Sequence, residues 1–73
     1  PCGVVYTKEE LLAFGAVLRD FPNVHIMTDD IYEYLIYGDQ KFHTMAQVCP
    51  DLYDRTLTVN GASKAYAMTG WRL

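Results

Sequence analysis

Seventy-three residues suffice for at most one small domain, and a chain this short buries only ~60% of the surface its unfolded form exposes. The formal net charge of −3 and the scatter of six Lys and Arg from Lys8 to Arg72 argue against nucleic-acid binding. Apolar runs are short and broken by charges, so no membrane span is expected, and no signal-peptide pattern opens the chain.

The high hydrophobic and aromatic content suits a piece of a large core better than a disordered tail. Pro1 at the start and the apolar Leu73 at the end suggest a segment of something longer. Cys2 and Cys49 have no metal-ligand spacing and are too sparse for a secreted disulfide scaffold. They read as free thiols in a reducing compartment, with a single disulfide as the alternative, and no metal site is expected.

The first local signal is the stretch from Tyr6 to Phe21. Thr7 and Glu10 fit a capping box, and Tyr6 and Leu11 stand at the positions of a hydrophobic staple. Leu11, Phe14, Leu18 and Phe21 recur at helical spacing, with Val17 close by, while Lys8, Glu9, Arg19 and Asp20 face away. Pro22 and Asn23 stop the pattern. The spacing predicts a helix over about 7–21 with one face on a core.

Val24, Ile26 and Met27 then predict a short strand, open to burial on both faces, ending at Asp29 and Asp30. His25 belongs to this strand. Residues 31–55 read as an irregular, aromatic-rich connection, with a turn at Gly38 and Asp39 and at most one helical turn opened by Pro50. Tyr34, Tyr37 and Phe42 read as packing residues and His43 as exposed. Thr56, Thr58 and Val59 predict a second strand, broken by Gly61, and residues 63–68 predict one helical turn. Tyr66 and Trp71 are expected to pack beneath it. The order helix, strand, connection, strand fits part of an α/β sheet.

In such sheets ligands bind beyond the carboxyl ends of the strands. Asp29 lies at one such end, and Asn60 to Lys64 at the other. A lysine becomes a nucleophile when small or apolar neighbours depress its pKa. A carboxylate can keep a pyridine nitrogen protonated, and a lysine imine with such a partner marks pyridoxal phosphate binding. Arginine's planar fork suits the phosphate. Lys64, Asp29 and Arg72 can fill these roles. Taken singly, they also fit a solvated charge, a turn residue and a salt-bridge partner. Other lysine motifs fail at a required residue: Asn60 stands where a short-chain dehydrogenase needs Tyr, Gly61 where an S-x-x-K acyltransferase needs Ser, and Ala65 where a P-loop needs Ser or Thr.

Pro1 and Gly3, Asp29 and Tyr32, and Ser63, Lys64, Gly70 and Arg72 together resemble the N-P-x-G, D-x-x-Y and S-K…R patterns of class I aminotransferases. These are pyridoxal-phosphate enzymes of the aspartate aminotransferase fold, and the closing residues 60–73 are similar to their bacterial branch. The resemblance implies an α/β fragment, residues 1–73, of the large cofactor-binding domain of fold type I, mainly a parallel sheet flanked by helices. It implies that Lys64 holds pyridoxal 5'-phosphate as an imine and moves a proton, that Asp29 pairs with the ring nitrogen and Tyr32 donates to the phenolic oxygen. It implies that Arg72 binds the phosphate and that Ser63 adds a hydroxyl. Asp30 is left structural by the D-x-x-Y register. A cytoplasmic homodimer acting on an amino acid and a 2-oxo acid is implied, aspartate or glutamate with 2-oxoglutarate or oxaloacetate. Lyase or synthase chemistry on the same fold, or a segment inactive by itself, are the alternatives.

Overall fold

The computed structural model describes residues 3–72; Pro1 of the first motif and Cys2 lie outside them. Helix α1 spans Lys8–Arg19. Its start is the predicted capping box: Thr7 Oγ1 accepts from Glu10 N–H at 3.1 Å, and Glu10 Oε2 accepts from Thr7 N–H at 2.8 Å. The Tyr6 ring packs edge-on to Phe14 with centroids 5.5 Å apart. The helix ends before Phe21. Phe21 N–H bonds Leu18 O at 3.0 Å, a three-residue step, and Pro22 disfavours the α conformation in the residue before it. Arg55 holds this end, donating to Leu18 O at 2.6 Å, Phe21 O at 2.8 Å and Val24 O at 2.7 Å. Carbonyls left over at a helix terminus thereby meet a cation, the charge that the helix dipole favours there.

Strand β1 (Ile26–Asp29) pairs in parallel with β2 (Thr56–Val59), in the register Ile26 to Thr56 through Asp29 to Val59. Parallel neighbours require a crossover, and this one is more ordered than its composition suggests. It contains helix α2 (Met45–Val48), whose first turn is capped by Thr44 Oγ1 accepting from Gln47 N–H at 3.1 Å. A 3-10 segment, Pro50–Arg55, follows and runs directly into β2. The single turn expected after Pro50 is therefore two turns of the tighter helix.

The crossover also supplies most of the core. Met45, Cys49 and Leu52 are buried with Leu11, and Leu18, Ile26 and Val48 pack against them. Cys49 is a free, fully buried thiol, its Sγ 3.8 Å from Leu11 O. Gly15 of α1 lies against it: a Cβ at that position would sit 2.5 Å from Sγ. The buried line of α1 is therefore Leu11, Gly15 and Leu18, while Phe14, Val17 and Phe21, expected to face a core, are exposed.

The sheet departs from expectation too. Ile26 and Thr28 are half-buried toward the helices, but Met27 is 72% and Leu57 62% exposed. Among the described residues helices cover one face only, so the strands are not buried on both. His25 is exposed and just precedes β1, Tyr34 and Tyr37 are exposed instead of packed, and Phe42 and His43 are half-buried. No helix among the described residues is long and apolar enough to cross a membrane.

Candidate functional site

The strand register decides where the candidate residues meet. Asp29, the last residue of β1, stands beside Val59, the last of β2, and Asp30 N–H extends the pairing to Val59 O at 2.8 Å. Both chains thus leave the sheet side by side at its carboxyl edge, the place expected of a ligand site.

On the β1 side the chain turns at once. Asp29 Oδ1 accepts from Ile31 N–H at 3.3 Å, a local turn that a short polar side chain favours. Glu33 N–H bonds Asp30 O at 3.0 Å and Leu35 N–H bonds Tyr32 O at 2.9 Å, which sets Tyr32 in the turn with its side chain exposed. Asp30 is half-buried, and its Oδ2 is buried with no hydrogen-bond partner. Burial, then the charges of Glu33 and Asp29, push its pKa above the usual carboxylate value.

On the β2 side Asn60 follows the strand, and its Oδ1 accepts from Gly61 N–H at 2.7 Å. Helix α3 (Ala62–Ala65) is the predicted single turn and carries Ser63 and Lys64, both half-buried. It ends in a Schellman motif: Met68 N–H bonds Ser63 O at 2.6 Å, and Ala67 N–H bonds Lys64 O at 3.3 Å. The residue between must be left-handed, and here it is Ala67 at φ 52°, where glycine is the usual choice. A 3-10 turn (Thr69–Trp71) follows, and Arg72 leaves it at φ 53°. Tyr66 and Trp71, expected beneath the lysine turn, are 70% and 72% exposed, because among the described residues no layer lies outside α3 and its following turn.

Gly61 is extended, at φ −165°, a conformation open to any residue. A Cβ there would meet Ile31 Cδ1 at 3.4 Å, an ordinary van der Waals distance, so among the described residues neither backbone nor packing requires glycine at this position. The two loops are also tied by a side-chain bond that no local pattern announces, Asn60 Nδ2 donating to Glu33 Oε1 at 2.5 Å. Its only trace in the sequence is Asn60 standing between a strand and a glycine, a pattern shared with ordinary turns.

An amine, a carboxylate, a phenol and a guanidinium are thus carried by two adjoining loops. Among the described residues neither Lys64 nor Arg72 forms an ion pair, and the pair that does form, Arg19 with Asp51 at 2.7 Å, lies on the helical side. There the contact with Asp51 raises the Arg19 pKa, and the contact with Arg19 lowers that of Asp51. The donor set suits a phosphorylated pyridine aldehyde: amine for the aldehyde, carboxylate for the ring nitrogen, cation for the phosphate. No cluster of three His, Cys, Asp or Glu that could hold a metal occurs among the described residues.

Comparison with known proteins identifies the family. The family model "Aminotransferase class I and II" matches residues 1–73. A probable aspartate/prephenate aminotransferase of Rhizobium leguminosarum bv. phaseoli is 60% identical over the whole chain, and an aspartate/prephenate aminotransferase of Cereibacter sphaeroides is 58% identical. The chain spans 18% of the length of each. The structure of a Thermus thermophilus aspartate aminotransferase mutant complexed with tryptophan superposes on 99% of the chain with a TM-score of 0.75 and 47% identity, again over 18% of its own length. The α/β arrangement is that of the aspartate aminotransferase fold, and the chain belongs to the class I and II aminotransferase family.

Proposed function

We propose that this chain forms the back wall of the pyridoxal phosphate site in an aminotransferase that moves the amino group of aspartate to a 2-oxo acid. The observation that carries the proposal is the parallel register, which sets Asp29 at the strand end beside the loop of Lys64. The names of the relatives add prephenate as an acceptor, beside the oxaloacetate and 2-oxoglutarate that the resemblance implies.

When bound, pyridoxal phosphate supplies the electron sink that makes the α C–H bond of an amino acid acidic. The chain's own residues have separate tasks. Lys64 would anchor the aldehyde carbon through Nζ and, once released, act as the base that moves the proton at the substrate α-carbon. Asp29 would keep the ring nitrogen protonated by pairing with it. Tyr32 would donate its phenolic proton to the ring oxygen. Arg72 would grip the phosphate with its planar fork, and the Ser63 hydroxyl would add a donor.

Residues 1–73 would then belong to one large cofactor-binding domain of a cytoplasmic homodimer. Taken alone the segment would be inactive, because its site edge is open and a reacting centre must exclude water. The test is an assay of the full-length protein that carries this chain, with aspartate and either prephenate or 2-oxoglutarate. Turnover is expected with the native protein, and Lys64→Ala should lower kcat by about a thousandfold, within the range of a lost general base. Full activity in Lys64→Ala, or no transamination with either acceptor, would refute the proposal.

A further inference from the structure

We propose that Asn60 and Glu33 form a positioning pair that fixes the lysine loop against the aspartate loop. The inference rests on the site assignment above and concerns neither a new ligand nor the reacting atoms. Asn60 lies between Val59, which ends β2, and Gly61, which starts the lysine turn. Glu33 follows Tyr32 and sits in the turn that begins at Asp30. Their side chains meet across 27 residues of sequence, with Asn60 Nδ2 donating to Glu33 Oε1. Among the described residues the loops are also joined by the ladder bond from Asp30 to Val59, and Ile31 Cδ1 lies 3.4 Å from where a Cβ at position 61 would stand.

The chemistry of the pair is specific. Asn60 must accept and donate at once: Oδ1 takes the Gly61 N–H and Nδ2 serves the Glu33 carboxylate. An amide does both, and the bond to a charged acceptor is among the stronger kinds. Aspartate at position 60 could still accept from Gly61, but it would aim an acceptor at an acceptor. It would also add a fourth carboxylate beside Asp29, Asp30 and Glu33. Leucine or alanine would leave Glu33 without this partner. The step from strand end to Lys64 is only a few residues, so a shift at Asn60 is passed to the lysine almost undiluted. An error of about an ångström at a reacting group is costly.

Reversal of the hydrogen bond provides the test. In the full-length protein, Asn60→Asp should weaken pyridoxal phosphate binding about tenfold, the scale of one hydrogen bond to a charged group. It should also change the visible circular dichroism of the bound cofactor, which reports how the ring is seated. Adding Glu33→Gln should restore both, because the amide introduced at position 33 can donate to the carboxylate introduced at position 60, the native bond run in the opposite direction. Glu33→Ala serves as a variant that adds no charge: in the cofactor-free protein it should speed hydrogen exchange in residues 60–66 while leaving residues 8–19 unchanged. Equal binding and dichroism in Asn60→Asp and native protein would overturn the proposal. So would a double variant no better than Asn60→Asp, or unchanged exchange in Glu33→Ala. A native protein that binds no pyridoxal phosphate would instead sink the site assignment, and the exchange measurement would still judge the pair.

Discussion

The helical side and the carboxyl edge of this chain are built on opposite terms. On the helical side α1, α2 and the 3-10 segment close around Leu11, Met45, Cys49 and Leu52, and Arg55 satisfies three backbone carbonyls from Leu18 to Val24. At the edge, Asp29, Tyr32 and Arg72 stand exposed, Ala67 and Arg72 occupy left-handed backbone, and Asp30 Oδ2 lacks a partner. The helical side satisfies most of its own groups, although Thr28 Oγ1 on the strand face toward it is buried without a partner, whereas the edge exposes charged and polar groups where a ligand would come. That contrast is the physical signature of a site carried on a rigid support, since strain and unpaired polar groups persist where the surroundings fix them.

The contrast can be broken most forcefully from the helical side. Arg55→Ala removes three charge-assisted bonds at the end of α1 and should cost about 2–4 kcal/mol in the full-length protein, read by denaturant unfolding. A cost near zero would mean that the helix end is held by something other than Arg55. Gly15→Ala should come next. Overpacking against Cys49 costs roughly 1–3 kcal/mol, which exceeds the ~1 kcal/mol that alanine gains over glycine in a helix. Cys49→Ala in the same chain should return most of the loss, and a double-mutant cycle that shows no coupling would deny the contact.

The smallest effect lies at the edge. The pKa of Asp30 is raised in the folded state, so the folded protein holds that proton more tightly than the unfolded chain does. Its contribution to stability is full below the unfolded value of ~3.9 and is lost as pH rises through the higher folded value. Asp30→Asn never ionises. Its Tm relative to the native protein should therefore climb between pH 4 and pH 7, and a constant difference would show that Asp30 ionises without penalty.

These regions also differ in how far the sequence discloses them. The capping box of Thr7 and Glu10 is legible because both partners lie within one turn. The two strands and the lysine turn are legible for the same reason, and chain order alone puts Asp29 and Lys64 on one edge. The core is less so. The buried line of α1 passes through Gly15, which has no side chain to count, and apolar periodicity therefore drifts to Phe14, Val17 and Phe21. Helix α2 is hidden by its shortness, although Thr44 as a cap and Met45, Val48 and Leu52 at steps of three and four carry its signal. The bond from Asn60 to Glu33 spans 27 residues and depends on the strand register, which no local pattern encodes.

The central claim is that the lysine beside the strand edge is the one that holds the cofactor. Borohydride reduction of the full-length protein loaded with pyridoxal phosphate, followed by peptide mapping, tests it directly. The label should fall on Lys64. A label confined to Lys8 at the start of α1, or to Lys41 in the crossover, would contradict the account.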